Sequence, residues 1–262
     1  MASLDEPTAG DVLINNVSVK EDPDSVRHLL GFVPDALPSH NDITVHEYLD
    51  FFARAYGIEG AKRRTAVESI EEFTKLTDIR EKLLKSLSKG MKQRVSLGRA
   101  LIHDPSALFM DEPAAGLDPR ARIEFRELVT ALADMGKAIL ISSHILTELT
   151  EICNGVVIIE KGRLLEQGTI AQVLSKKTAR TTIVVRSLDR LDELYRHVLE
   201  MPSVNAVRKA ENEVFIDAAC HEKDCCVLLT ELIKRGHQII EFRPLRDDLE
   251  DIFMRVTKGD LQ

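Results

Sequence analysis

The chain has 262 residues, which is enough for one large domain or for a medium and a small domain. Hydrophobic residues make up 44% of it and charged residues 30%, as in ordinary soluble globular proteins, so general disorder is excluded. The formal net charge of −8 argues against a nucleic-acid-binding surface, which normally needs a clustered basic face.

The sequence also argues against membrane-spanning and secreted proteins. The longest apolar runs, such as 106–110 and 138–141, are far shorter than the roughly 18 residues that suggest a bilayer span. The N-terminus, MASLDEPTAGD, has acidic residues where a secretory signal has basic residues followed by an apolar stretch. We therefore expect small-molecule or protein partners inside the cell.

The cysteines fit neither a disulfide framework nor a zinc-binding CxxC pair, and they suit a reducing cytosol. Four residues close in sequence offer possible metal ligands: Cys220, His221, Cys225 and Cys226. Adjacent cysteines on a helix point about 100° apart and do not easily share an ion. Buried or incidental thiols are therefore the preferred interpretation.

The first part of the chain is predicted to contain short strands and then a helical insert. The strands are predicted at 11–15 and 30–33. The capping box Thr44-Val-His-Glu47 predicts a helix through about Tyr56. Apolar spacing predicts further helical segments at 61–76 and 79–85, so the insert spans about 44–86.

From residue 88 onward, helices and strands are predicted to alternate. The predicted elements are a helix at 88–103, a strand at 107–110, a helix at 120–135, a strand at 138–142, a short helix at 145–152 and two strands within 155–168. This alternation predicts an α/β domain with a parallel sheet. We place the domain at 1–176, so that it ends within a polar run at 175–178.

A second, smaller domain is predicted at 180–262. Its expected elements are strands at 181–186, 204–210, 213–218 and 237–244, helices at 188–199 and 222–235, and a last helix at 248–256 with one apolar face. The order βαββαβ predicts an α+β module of the ferredoxin-like type.

Two carboxylates end the apolar strand Ser106-Ala-Leu-Phe-Met-Asp-Glu-Pro113. Open α/β sheets bind ligands at the carboxyl ends of their strands. Asp111 there can hold Mg²⁺ through water, and Glu112 can polarise a nucleophilic water, as phosphoryl transfer requires. Taken alone, the pair is better explained as a solvated strand end.

The segment Leu87-Ser-Lys-Gly-Met-Lys-Gln-Arg94 lies where a helix is predicted to start. Free backbone N–H groups and the helix dipole make such a start an anion site. Ser88 adds a hydroxyl donor, and Gly90 allows a phosphate to approach closely. The structural alternative is a serine cap followed by a basic first turn.

Together these segments resemble the ABC ATPase family. LSKGMKQR is similar to the family signature LSGGQxQR, FMDEPAAGLDP to its Walker B and D-loop run, and Ala138-Ile-Leu-Ile-Ser-Ser-His144 to its switch strand. The resemblance implies a P-loop NTPase-like fold that uses ATP and Mg²⁺. It implies that Asp111 binds the metal, that Glu112 and His144 are catalytic, that Ser88, Gly90 and Gln93 contact nucleotide, and that Asp118 faces a partner subunit.

Two motifs depart from the family pattern. Gly31-Phe-Val-Pro-Asp35, followed by Asp42-Ile-Thr-Val-His-Glu47, resembles the Q-loop and the start of the helical subdomain. Asp35 stands where the family has glutamine, and a carboxylate accepts hydrogen bonds but does not donate them. Lys89 and Met91 replace the commoner Gly and Gln of the signature.

The 262 residues contain no G-x-x-x-x-G-K-[ST] phosphate-binding loop. That loop supplies most of the amides and the lysine that hold the β- and γ-phosphates, so we expect the chain as given to bind ATP poorly and to be inactive alone. We expect the sequence to be N-terminally truncated, beginning near the end of the helix that follows the loop. The strand that feeds the loop would also be missing, which predicts an open, apolar sheet edge prone to aggregation.

The resemblance implies an ATP-hydrolysing subunit of an exporter, cytoplasmic and peripheral on the inner face of the membrane. Its partners would be an integral membrane permease, docked on the insert at 44–86, and a second ATP-binding subunit. The alternative is a non-hydrolysing partner subunit that supplies only its signature helix to a composite ATP site. Chromosome-maintenance ATPases need heptad arms or zinc modules, and translation factors of the superfamily carry two such domains; the sequence has neither feature.

Overall fold

A computed structural model describes residues 5–37, 42–175, 181–188, 191–201, 204–218, 222–245 and 249–257. The chain forms two compact units, 1–152 and 153–262. Within the described ranges, no helix has the length and apolar character needed to cross a bilayer.

The first unit contains five strands and six helices among its described residues. In chain order they are β1 (Leu13–Ile14), β2 (Val17–Ser18), α1 (Pro23–Leu29), β3 (Leu30–Val33), α2 (Val45–Ala55), α3 (Gly60–Phe73), α4 (Lys89–Leu101), β4 (Ala107–Asp111), α5 (Pro119–Asp134), β5 (Ala138–Ser142) and α6 (Leu146–Ile152), with 3-10 turns at Thr77–Ile79 and Leu84–Ser86. The capping box predicted at Thr44 is present at the start of α2.

A parallel sheet in the order β3-β4-β5 forms the centre of this unit, which confirms the predicted α/β class. Met110 pairs with both Val33 and Ile141, and Asp111 pairs with Ser142. Because the strands are parallel, their carboxyl ends lie at one edge of the sheet. The residues that follow β3, β4 and β5 therefore lie close together at the carboxyl ends of the strands.

Two hydrophobic cores support this sheet and the helical insert. In the first, α4 and α5 pack on the sheet through residues such as Leu97, Phe125 and Leu128. In the second, α2 and α3 enclose their own core, which includes Tyr48 and Val67. The insert is therefore held by its own apolar packing as well as by α4, which contributes to both cores.

The outer side of β5 pairs with no strand among the described residues. Its sequence is apolar on both faces, yet Leu140 is 45% exposed. Strands that are apolar on both faces are typical of positions inside a sheet rather than at its edge. The unpaired side of β5 is thus partly apolar and exposed, and the association expected from it remains a prediction.

Two predictions of local structure differ from the observed elements, and one observed helix was not predicted. The prediction of a strand at 11–15 was wrong at Asn15, which lies outside β1. Asn15 and Asn16 have φ of 48° and 63° and turn the chain between β1 and β2. Asparagine tolerates this left-handed region, which makes Asn-Asn a turn signal. The helix predicted at 79–85 is replaced by the two 3-10 turns. Helix α1 was not predicted, although Asp22 caps it and Pro23 begins it.

The second unit contains a hairpin and a four-stranded sheet. Its elements are β6 (Gly155–Glu160), β7 (Arg163–Thr169), α7 (Ile170–Ser175), β8 (Thr181–Ser187), α8 (Leu191–Leu199), β9 (Val204–Lys209), β10 (Val214–Ala218), α9 (Glu222–Lys234), β11 (Ile239–Leu245) and α10 (Leu249–Val256). Strands β8 to β11 form an antiparallel sheet in the order β11-β8-β10-β9. This order with the βαββαβ succession matches the predicted ferredoxin-like module.

The domain limits at 176 and 180 remain predictions, and the boundary of the two compact units falls between Ile152 and Cys153. Cys220 and His221, half of the possible metal ligands, lie outside the described residues. Of the remaining pair, Cys225 is buried and Cys226 is exposed. Opposite environments for adjacent thiols match the expectation that they point apart.

Candidate functional site

The carboxylate at the end of β4 is held by a hydroxyl on β5. Buried Leu108 and Met110 fix the strand in the core, and Asp111 is the first exposed residue after them. The register places Ser142 directly beside Asp111, and Ser142 Oγ donates to Asp111 Oδ1 over 2.5 Å. Because an ionised carboxylate only accepts hydrogen bonds, the hydroxyl must be the donor.

Glu112 follows in a strained backbone conformation. Its φ is +46°, a region that residues other than glycine, asparagine and aspartate seldom adopt. The Glu112 N–H donates to the carbonyl of Ser142 over 3.0 Å and lies 3.3 Å from its Oγ. These contacts hold the turn that directs the Glu112 side chain away from the strand.

His144 comes from the end of β5 and meets Glu112. Its Nδ1 lies 2.7 Å from Glu112 Oε2. The imidazole is 72% exposed, whereas the carboxylate is 28% exposed. The sheet thus brings together Asp111, Glu112 and His144, the three residues expected to act on phosphate and metal.

The Glu112 contact restricts the protonation of His144. When Glu112 is ionised, Nδ1 must carry the hydrogen that it donates. In the neutral ring Nε2 is then an acceptor, and only the imidazolium form also donates from Nε2.

Ser88 caps the signature helix. Its Oγ accepts a hydrogen bond from Met91 N over 3.3 Å at the start of α4, so the structural alternative for this residue is present. The remaining first-turn amides still provide the dipole and donors of an anion site. Ser88 and Lys89 are exposed, so both are accessible to a ligand or a second subunit.

The two signature residues after Ser88 contact the loop after β4 and the helix that follows it. A methyl group added to Gly90 would lie 2.7 Å from the Ala121 methyl group, so glycine is required here for close packing of α4 on α5. A methyl group added to Gly116, which has φ of +66°, would lie 2.6 Å from Lys89 Nζ. The Lys89 side chain therefore covers this glycine.

The other three predicted site residues lie in different surroundings. Gln93 is 5% exposed, and its Nε2 has no hydrogen-bond partner among the described residues, so its contact with nucleotide remains a prediction. Asp118 caps α5 by accepting from Ala121 N over 2.9 Å. Asp35 follows β3 at the same sheet edge as Asp111, and its role remains a prediction.

Sequence reasoning missed Ser142 and Gly116. Ser142 stands two residues before His144 in the switch strand, and only the β4–β5 register shows that it binds Asp111. Gly116 stands in the D-loop run, and its contact with Lys89 depends on the packing of α4 near that loop. Neither contact follows from motif spacing.

The donor set fits a hard cation that arrives with its own ligands. No group of three or more Asp, Glu, His or Cys side chains in the described part of the chain is placed to hold a metal alone. Mg²⁺ typically takes one or two carboxylates and completes its shell with water and phosphate oxygens. The Asp111 carboxylate and the neighbouring hydroxyl meet that requirement.

A cavity of about 470 Å³ lies between the helical insert and the sheet. Its lining includes Phe32, Phe52 and Tyr56, with Arg27 and Arg99 as cations. Arg99 donates to the carbonyl of Phe32 over 2.7 Å and lies over the Phe52 ring.

An aromatic stack stands beside this cavity. The ring of Tyr56 stacks on His103 with centroids 3.8 Å apart. Burial raises the pKa of the Tyr56 hydroxyl, and the charge of Arg99 opposes that rise. Burial lowers the pKa of His103, whose Nε2–H donates to the carbonyl of Leu30 over 3.1 Å. Both side chains are therefore neutral at pH 7.

The comparisons with known proteins agree on one family. The family model described as ABC transporter matches residues 1–115. Nod factor export ATP-binding protein I of Paraburkholderia xenovorans is 30% identical over 98% of this chain and 81% of its own length. Linearmycin resistance ATP-binding protein LnrL of Bacillus subtilis is 27% identical over 97% of this chain and 82% of its own.

A solved structure of the ATP binding subunit of an ABC transporter is also similar. Its TM-score is 0.59 at 27% identity, and the match covers 76% of this chain and 80% of the other. The match of the family model, residues 1–115, includes Asp111 and Glu112.

Proposed function

Because this chain belongs to the ATP-binding subunits of ABC transporters, we propose that it hydrolyses ATP in a composite site and drives export through a membrane permease. The observation that supports hydrolysis is the Glu112–His144 contact beside the Asp111–Ser142 pair. The names of the two curated relatives, which refer to export and to resistance, support export as the direction.

Each side chain has a distinct task in this proposal. Glu112 accepts a proton from the attacking water, whose oxygen bonds to the γ-phosphorus as the bond to ADP breaks. His144 contacts a γ-phosphate oxygen through its Nε2. Asp111 holds Mg²⁺, which when bound neutralises phosphate charge.

The signature helix is proposed to act on nucleotide held by a second ATP-binding subunit. Ser88 and Lys89 are exposed at the N-terminus of α4, where the helix dipole favours the γ-phosphate. Lys89 adds a positive charge to the same end of the helix. Asp118 is proposed to face the same partner.

A second candidate function is that of a non-hydrolysing subunit that supplies only this helix. The observation that favours it is the lack of a G-x-x-x-x-G-K-[ST] loop in the 262 residues. The two candidate functions differ in their response to Glu112→Gln. This substitution lowers the rate of ATP hydrolysis only if the subunit hydrolyses ATP itself.

We further propose that the cavity near Arg99 receives a short cytoplasmic segment of the permease. Its walls come both from the insert, through Phe52 and Tyr56, and from the sheet, through Phe32. A segment seated there would sense movement between the insert and the sheet. The chain would thereby be peripheral on the inner face of the membrane.

The test uses protein produced from its own gene in its own host with a C-terminal affinity tag, isolated from membranes in mild detergent. Glu112→Gln should lower ATP hydrolysis by roughly 100-fold or more, the usual effect of losing a general base. Glu68→Gln, an exposed acid on α3, is the matched control. Unchanged hydrolysis in Glu112→Gln would eliminate the hydrolytic proposal, and loss in Ser88→Arg alone would support the second candidate.

The permease contact is tested by charge reversal at the cavity. Arg27 is 57% exposed and pairs with Asp24. Arg27→Glu should lower the membrane-bound fraction of the tagged protein, whereas Glu68→Gln should leave it unchanged. An equal membrane-bound fraction in both variants would refute docking at this cavity.

A further inference from the structure

Ser142 connects the two carboxylates at the sheet edge. Its Oγ–H donates to Asp111 Oδ1 over 2.5 Å, and its carbonyl accepts from Glu112 N over 3.0 Å. The same Oγ lies 3.3 Å from Glu112 N, within reach of one of its lone pairs. One residue of β5 therefore touches Asp111 through its side chain and Glu112 through its backbone.

The contact with Asp111 limits how that carboxylate can turn. Carboxylate χ2 rotation is broad and poorly fixed in the absence of partners. With Oδ1 bound to the Ser142 hydroxyl, Oδ2 is the oxygen left to face a ligand. Hydrogen bonds of this kind to a ligating carboxylate orient it and typically change metal affinity by roughly 10- to 100-fold when removed.

The contact with Glu112 supports a strained turn. A φ of +46° at a glutamate persists only when its surroundings determine it. The N–H donated to Ser142 is the hydrogen bond that ties this turn to β5. Because both contacts come from one strand position, Asp111 and Glu112 keep a fixed spacing at the edge of the sheet.

We infer that Ser142 is a positioning residue of the site: its hydroxyl orients the Asp111 carboxylate for a divalent cation while its backbone holds the Glu112 turn. This inference rests on the proposed function, in which Asp111 is the metal carboxylate. It assigns to the switch strand a task separate from that of His144.

The probe for the test is Mn²⁺ alone, titrated into the ¹⁵N-labelled 262-residue chain. Paramagnetic broadening of the amide signals near Asp111 reports binding without any hydrolysis. Removal of the hydroxyl in Ser142→Ala should raise the half-saturating Mn²⁺ concentration by roughly 10-fold or more. Ser142→Thr keeps the hydroxyl and should stay within about twofold of the wild type, as should the control Ser69→Ala on the exposed side of α3.

Asp111→Asn separates failure of the inference from failure of the proposed function. Broadening that is lost in Asp111→Asn but unchanged in Ser142→Ala would overturn the role of Ser142. Broadening that survives in Asp111→Asn, or that is absent from the wild type, would overturn the metal assignment and the inference with it. A lower melting temperature in Ser142→Ala without a change in Mn²⁺ affinity would mean a structural role only and would also overturn it.

Discussion

Gly90 allows the structural and ligand-binding reasons for a glycine to be separated. A methyl group at this position would lie 2.7 Å from the Ala121 methyl group, about 1 Å inside the usual carbon–carbon contact. Overpacking of this kind costs about 1–3 kcal/mol, while replacing a helical glycine by alanine returns up to about 1 kcal/mol. Gly90→Ala should therefore lower the free energy of unfolding by about 1–2 kcal/mol.

The assay is a double-mutant cycle with Ala121→Gly, followed by urea unfolding and circular dichroism. Ala121→Gly alone should cost about 1 kcal/mol of helix propensity. The double variant removes the collision and should be less destabilised than the sum of the single variants by at least about 1 kcal/mol. Additivity within about 0.5 kcal/mol would refute the α4–α5 packing. A double variant that regains stability but not ATP hydrolysis would show that Gly90 also serves the ligand.

Three further predictions concern buried charge and the sheet edge. Burial lowers the pKa of His103 in the folded state, so as the pH falls the histidine is protonated in the unfolded state before it is protonated in the folded state. The protein therefore loses stability as the pH falls below the ordinary histidine pKa of about 6.5. In thermal melts, the melting temperature of His103→Gln should fall less than that of the wild type between about pH 7 and pH 5.5. An equal fall in the melting temperature of both proteins would contradict this. Glu71 is 1% exposed and contacts His46 and Arg80. Glu71→Ala should therefore lower the free energy of unfolding by about 2–3 kcal/mol, whereas the control Glu68→Ala, an exposed position on the same helix, should lower it by less than about 0.5 kcal/mol. Equal urea midpoints for the two variants would refute the pairing. Leu140→Lys on the open edge of β5 should reduce light scattering of concentrated 262-residue chain without lowering its melting temperature, and unchanged scattering would exclude this edge as the cause of association.

The sequence predicted several elements that carry a strong local signal. The capping box at Thr44 and the abrupt change from an apolar run to Asp111 and Glu112 each predicted an element that the structure contains. The motif order also placed Asp111, Glu112 and His144 in one family site, and the parallel sheet brings them together.

Features that depend on distant packing were beyond sequence reasoning. The Ser142–Asp111 contact needs the register of β4 and β5, whose paired residues are 31 positions apart in the chain. The burial of Gln93 depends on how α4 packs, which its position in the motif does not reveal. The Asn15–Asn16 turn had a local signal that was outweighed by the apolar residues before it.

The measurement that tests the central claim most directly is calorimetric titration of Mg²⁺-ATP into the tagged protein from its own host, carrying Glu112→Gln to prevent turnover. The account predicts saturable binding with a dissociation constant below about 1 mM, equivalent to more than about 4 kcal/mol of binding free energy. No binding by the tagged protein at millimolar ATP would contradict its assignment as an ATP-binding subunit.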